Sequence, residues 1–228
     1  MLLSRRYDDV NRYSRRIVKE RYNYVGNLSY EEIVSLIDKI TGGLGYKSSE
    51  PLDIVQMNYA GSYIAWPEKV TNNSRVLEIG TGLGRTAYVV HYMVKPKIYV
   101  TIDASGEILY VALYRNPIKV YQEVLWLPDV KVIFSDAVEI IDCLNDEFDH
   151  IIHDGGPNPR KNKRLYSKHF LHKLIKLLKP GGSLSIFIGS ERKMQEEIYS
   201  TLIELGLQVV ETVSLPFSKA RVIHAYKL

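Results

Sequence analysis

A short apolar run, Arg75–Ile79, leads straight into Gly80-Thr81-Gly82-Leu83-Gly84, and a helix-compatible stretch begins at Arg85. Few patterns restrict a fold as much. Glycine at alternate positions lets the backbone turn sharply and leaves no Cβ to hold a ligand away. The helix behind such a loop points unpaired N–H groups and the positive end of its dipole at whatever sits in front of it. The pattern therefore predicts a strand–loop–helix cradle for a nucleotide or nucleoside. The dinucleotide fingerprint needs Gly-x-Gly-x-x-Gly. Here the third glycine arrives one residue early and Arg85 takes its place, which weakens a nicotinamide–dinucleotide reading.

The next segments alternate strand and helix patterns, and several strands end in an acid. Lys97–Ile102 reads as a second strand ending in Asp103, nineteen positions after Gly84. A carboxylate there can accept hydrogen bonds from a ribose diol. Val130–Phe134 is a third strand, followed by Ser135-Asp136-Ala137, and Phe148–His153 is a fourth, followed by Asp154-Gly155-Gly156-Pro157. The Leu177–Gly189 stretch reads as a helix end, a Pro180-Gly181-Gly182 turn and a fifth strand. Asp103 and Asp136 also suit helix N-caps. Taken singly, capping and ligand contact are equally good readings of each. Four acids, Glu78 among them, at the ends of four successive strands favour the crevice where open α/β sheets bind ligands.

Glu78-x-Gly80-x-Gly82-x-Gly84, with these acids and the Leu-Lys-Pro-Gly-Gly element in register over about 115 residues, resembles the class I S-adenosylmethionine-dependent methyltransferases. The resemblance implies a Rossmann-like α/β fold with a seven-stranded, mostly parallel sheet of order 3-2-1-4-5-7-6. It implies S-adenosyl-L-methionine as cofactor, with Glu78 holding its amino group or only ordering the loop. Gly80, Thr81, Gly82, Gly84, Asp103, Ala104, Asp136, Ala137 and Asp154 would complete the cofactor site. The His153-Asp154-x-x-Pro157 and Leu165-Tyr166-Ser167-x-x-Phe170 elements are similar to a group of archaeal methyltransferases predicted from sequence. The methyl acceptor would be met at the end of the fourth strand. Asp154 is the candidate to orient or deprotonate it, or else a motif acid touching only the cofactor. His153 is a candidate base or a structural histidine. Enzymes that methylate exocyclic amino groups of bases carry Asp/Asn-Pro-Pro-aromatic there, and the aromatic is missing.

Composition bounds the rest. With 228 residues and 46% hydrophobic content, one α/β domain can bury a full core. The division expected is a helical extension over residues 1–74 and the cofactor-binding domain over 75–228. Ser29-x-x-Glu32 is a capping box ahead of a helix ending at Gly42-Gly43, and residues 44–74 read as an irregular connection holding Tyr59, Tyr63 and Trp66. Glu191–Leu205 reads as a helix, and Gln208–Leu215 with Ala220–Lys227 as a terminal antiparallel hairpin. No apolar run is long enough to span a bilayer, and the start does not read as a leader, so the expected setting is the cytoplasm. A single cysteine, Cys143, excludes an internal disulfide and a cysteine-held metal. His169-x-x-His172 has helical spacing without a third ligand, and Gly189-Ser190-Glu191 stands where a catechol-type enzyme would place its magnesium acids, so no metal is expected. Abundant Ile, Tyr, Lys and Glu with little Gln hint at a thermophile.

Charge bears on the acceptor. Residues 1–25 read as a basic helix with seven basic and three acidic side chains, a local charge of +4 that equals the net charge of the chain. A second cluster, Arg160, Lys161, Lys163 and Arg164, follows Asp154 directly. Basic clusters with interleaved tyrosines suit RNA as a partner. The bland alternative is a solvated helix face and a basic loop. Small molecules remain open as acceptors, as does aminopropyl transfer of the spermidine-synthase kind on the same fold. Four cations beside the site would repel a polyamine. A non-catalytic cofactor-binding module is the third class, whose mark would be a decayed glycine loop or Asp103, and neither is decayed.

Overall fold

The computed structural model describes residues 2–41, 60–156, 158–216 and 218–228. Two helices, α1 (Leu2–Arg21) and α2 (Tyr30–Thr41), precede the short α3 (Ala60–Ala65). Then come β1 (Arg75–Ile79), α4 (Arg85–Met93), β2 (Ile98–Asp103), α5 (Gly106–Tyr110), α6 (Lys119–Leu125), β3 (Val130–Phe134), α7 (Ala137–Ile140) and β4 (Phe148–His153). The chain closes with α8 (Lys168–Lys176), β5 (Leu178–Gly189), α9 (Arg192–Glu204), β6 (Leu207–Ser214) and β7 (Arg221–Lys227). The seven strands form one sheet of order β3-β2-β1-β4-β5-β7-β6. The first five are parallel, and β7 runs antiparallel to β5 and β6. This is the Rossmann-like methyltransferase topology expected.

Strand side chains alternate between two apolar layers, as a sheet covered on both faces requires. Val76, Tyr99, Val130 and Val132 face the layer that includes α4 and α6. Leu77, Ile79, Val100, Ile102 and Ile133 face the layer with α8 and α9. The N-terminal helices belong to the same layers, since Tyr7 is buried in one and Val18, Ile33 and Ile37 in the other. Helix α1 lies along the edge strand β3. Asn11 Oδ1 accepts from Val132 N–H and Ser14 Oγ from Phe134 N–H, each at 3.0 Å. The capping box forms as expected, with Ser29 N–H on Glu32 Oε2 at 2.7 Å and Glu32 N–H on Ser29 Oγ at 3.2 Å. Gly42, Gly43 and Tyr59 lie outside the described residues.

Part of the stretch expected to be irregular is the helix α3. Three side chains from neighbouring strands satisfy its last carbonyls: His224 on Tyr63 O at 2.8 Å, Ser185 on Ile64 O at 2.6 Å, and His150 on Ala65 O at 2.9 Å. Trp66 then turns the chain at φ 46° and stacks on His224 with ring centroids 4.2 Å apart. Six residues give too little periodicity to announce a helix, and its caps come from residues far away in sequence.

Candidate functional site

A crevice of about 250 Å³ opens at the carboxyl ends of β1, β2, β3 and β4. The glycine loop forms its floor. Gly80 has φ 95°, and a Cβ there would stand 2.2 Å from the Asp154 carbonyl oxygen, so only glycine lets β1 end this close to β4. Gly84, also at φ 95°, is the N-cap of α4 and packs against Leu125 and Tyr121, behind the loop. Of the residues expected at the cofactor, Gly80, Thr81, Gly82, Asp103, Ala104, Asp136, Ala137 and Asp154 line the crevice. Gly84, Glu78 and His153 do not.

Glu78 is fully buried beneath the loop and pairs in register with Thr101. The Thr101 hydroxyl donates to its Oε2 at 2.6 Å, the Thr86 hydroxyl donates to its other oxygen, and Thr81 reaches Thr101 at 2.7 Å. Burial holds the Glu78 carboxyl well above the usual range, against the pull of the Thr101 bond. Of the two readings of Glu78, contact with the cofactor amino group or ordering of the loop, this environment supports the second. Glu78 is the hub of a buried hydroxyl chain that fixes Thr81 and Thr86, both of which line the crevice.

The acids at the crevice wall differ in how their oxygens are used. Asp103 accepts from Gly82 N–H at 3.0 Å and Ser105 N–H at 2.8 Å, joining the glycine loop to the start of α5. Ser105, not Asp103, is the N-cap there. Burial raises the Asp103 carboxyl and these backbone N–H groups pull it back. Asp136 is the N-cap of α7, accepting from Val138 N–H at 2.9 Å, and its other oxygen pairs with Arg164 at 3.2 Å. Asp154 differs: its carboxylate makes no hydrogen bond among the described residues. Burial raises it and the Arg85 charge opposes that rise.

His153 is buried and does not line the crevice, which supports the structural reading over that of a base. Its Nε2–H donates to Leu165 O at 2.9 Å and its Nδ1 lies 3.4 Å from Gly155 N–H, while the ring packs on Tyr166 at 4.6 Å. Burial lowers its pKa to about 4, so it stays neutral and braces the loop after β4. His169 and His172 are exposed on α8, and no group of three metal-binding side chains occurs among the described residues.

The basic clusters are partly spent. Arg164 pairs with Asp136 and Glu139, and Arg160 with Glu191 at 3.5 Å. Lys161 and Lys163 are exposed with no ion pair among the described residues. On α1, Arg12 pairs with Asp9, and Arg15 donates to Leu125 O at 2.6 Å with its guanidinium 4.2 Å from the centre of the Trp126 ring. The basic helix ends at Arg21 and is docked, not a free arm. The sequence reading missed Ile40 and Thr41 of α2, which close the crevice, as well as Arg85, Thr86, Asn162 and Leu165. Arg85 was the one with a signal, standing where a glycine was sought.

A family model described as S-adenosyl-L-methionine-dependent methyltransferase matches residues 112–227. The match begins after the glycine loop, so the two lines of support are independent. An uncharacterized protein of Methanocaldococcus jannaschii is 32% identical over 152 residues, covering 64% of this chain and 50% of that protein. The chain thus spans about half the length of this curated relative. A spermidine synthase solved with the transition state analogue AdoDATO superimposes with a TM-score of 0.64 at 18% identity, over 74% of this chain and 60% of that one. A ribosomal protein L11 methylase from Lactobacillus delbrueckii subsp. bulgaricus gives a TM-score of 0.56 at 15% identity, over 76% and 79%. At these identities the likeness is one of fold.

Proposed function

The chain belongs to the S-adenosyl-L-methionine-dependent methyltransferase family, and we propose that it methylates RNA at the Asp154 end of the crevice. The observation that carries this is the unspent carboxylate of Asp154. It stands between the glycine loop and a loop bearing two uncommitted lysines. The crevice fits the cofactor by its chemistry: acids for a ribose diol and an amino group, and a backbone kept bare by glycine. When bound, S-adenosyl-L-methionine supplies a methyl group activated on a sulfonium. Asp103, held by two backbone N–H groups, would hold the ribose hydroxyls. Asp136 and Ala137, which also line the crevice, would hold the cofactor's adenine. Asp154 orients the acceptor nucleophile and takes the proton it loses as the methyl is accepted. Burial raises its pKa above the ordinary carboxylate value, which makes it a better proton acceptor than an exposed aspartate. Lys161 and Lys163 hold phosphates of the acceptor strand beside it.

Small-molecule methylation stays as the second reading, favoured by the small volume of the crevice, about 250 Å³. Incubating the protein with methyl-labelled cofactor and the RNA, protein and small-molecule fractions of a cell extract separates the two. Label in RNA is expected. Label confined to small molecules overturns the RNA acceptor and leaves the cofactor assignment standing.

A further inference from the structure

A second cavity, of about 390 Å³, lies between the loop after β4 and the first turns of α9. The loop contributes Arg160, Lys163 and Tyr166, and the helix side contributes Glu191, Lys193 and Glu197. Each acid already has a cation, since Arg160 stands 3.5 Å from Glu191 and Lys193 stands 3.9 Å from Glu197. Lys163 is exposed with no ion pair among the described residues. The first turn of α9 holds no acid, and the side chain of its N-cap, Glu191, makes no capping hydrogen bond. A helix start of this kind offers N–H groups and a positive dipole end to an anion. Tyr166 points to the same ligand class. It is 7% exposed, and its buried hydroxyl has no hydrogen-bond partner among the described residues. Buried polar groups are nearly always paired, so an unmet hydroxyl in a cavity wall marks a place for a ligand atom. Burial, together with the Asp154 charge, holds its pKa well above the usual phenol value, so it remains a donor. The Tyr166 ring packs on His153 with centroids 4.6 Å apart, and His153 directly precedes Asp154. The cavity therefore adjoins the methyl-accepting end of the crevice.

Resting on the RNA reading, we propose that this cavity is a phosphate subsite, in which the Tyr166 hydroxyl, the Lys163 ammonium and the α9 N-terminus hold the phosphate next to the nucleotide methylated at Asp154. Hydrogen bonds to a phosphate are charge-assisted and stronger than those between neutral groups, so the hydroxyl gains more from this ligand than from water. A phosphodiester of a strand and the phosphate of a small phosphorylated acceptor present the same oxygens, and the test separates the two sources.

Fluorescence anisotropy of the full chain with a labelled single-stranded RNA reads the site. Tyr166→Phe removes only the hydroxyl and should weaken binding about tenfold. Lys163→Gln should weaken it as well and lower the salt slope by about 0.7. The double variant should lose less than the product of the two single losses, since both groups hold one phosphate. Losses that multiply, or an RNA affinity that Tyr166→Phe leaves unchanged, overturn the proposal and leave the RNA reading standing. Thermal unfolding without ligand adds a second check. Tyr166→Phe should melt no lower than wild type, because it deletes a hydroxyl whose hydrogen bond is unmade. A clearly lower melting temperature would reveal a partner within the protein and overturn the proposal. Calorimetry with inorganic pyrophosphate separates the sources. A wild type that binds pyrophosphate through Tyr166 and Lys163 but binds no RNA keeps the subsite and refutes the RNA reading, leaving a small phosphorylated acceptor. A wild type that binds neither overturns the subsite itself.

Discussion

The Ser14 hydroxyl on α1 accepts the backbone N–H of Phe134 on the edge strand β3 at 3.0 Å. One turn earlier Asn11 does the same for Val132. An edge strand presents a row of unpaired N–H groups, and here two side chains spaced three apart on one helix face satisfy them. The N-terminal helix thereby takes the place of an eighth strand. Its tail leads through a short 3-10 helix, Asn23–Asn27, into α2, whose Ile40 and Thr41 line the crevice. Sheet edge and binding site are thus built by one continuous segment.

Ser14→Ala should therefore destabilise the protein by about 1–3 kcal/mol, because a half-buried N–H loses its acceptor. The better helix propensity of alanine recovers a few tenths of that. Urea unfolding would read it as a lower midpoint at unchanged slope. Removing residues 1–25 should abolish cooperative unfolding. A truncated chain that unfolds like the full one would show that the edge needs no cover.

Asp103→Ala should lower S-adenosylhomocysteine affinity by about 1.5–3 kcal/mol, measured by calorimetry. Two losses would contribute, since the carboxylate proposed to hold the ribose also ties down Gly82 N–H and Ser105 N–H. Asp103→Asn keeps one acceptor oxygen and should lose less. Equal affinity in all three proteins would remove Asp103 from the site.

What was legible in the sequence follows from range. The glycine loop, the strand acids and the capping box are local patterns, each written within a few consecutive residues, and the structure forms them where the spacing places them. The strand order came with the resemblance and matches. Roles were less legible than positions. Glu78 sits in the glycine-loop motif, yet its partner Thr101 is on the neighbouring strand, and only the β1–β2 register brings them together. His153 adjoins Asp154 in sequence, but it is the last residue of β4 and packs on Leu165 and Tyr166, while Asp154 lines the crevice. The pairing of Arg164 with Asp136 spans 28 positions and left no trace in composition.

Acidification should expose the buried His150. Its Nε2–H donates to Ala65 O, its Nδ1 faces Ser183 Oγ at 2.7 Å, and burial lowers its pKa from 6.5 to about 4. As pH falls below 6.5 the unfolded chain takes the proton first. The stability held above 6.5 is then lost progressively down to about 4. The full effect is of the order of 3 kcal/mol, at most about 1.4 kcal/mol per pH unit. The raised carboxyls of Glu78, Asp103 and Asp154 act in the opposite sense, so the informative quantity is the difference between wild type and His150→Gln. Wild type should lose more stability than the variant between pH 6.5 and 4. Parallel curves would show that His150 titrates alike in both states.

RNA affinity should depend on Lys161 and Lys163 more than on the arginines beside them. Arg160 and Arg164 already neutralise acids, whereas the two lysines are exposed and carry no ion pair among the described residues. If each lysine holds one phosphate, log affinity should fall linearly with log salt. The double variant Lys161→Gln, Lys163→Gln should reduce that slope by about 1.4, at roughly 0.7 per single-strand phosphate. Arg164→Gln should change the slope less, while freeing Asp136 and Glu139 to repel the strand. Cofactor affinity should be unchanged in the lysine variant, because neither side chain lines the crevice. Fluorescence anisotropy with a labelled single-stranded RNA at several salt concentrations measures the slopes. An unchanged slope in the double variant would place the phosphates elsewhere and take the loop after β4 out of the acceptor site.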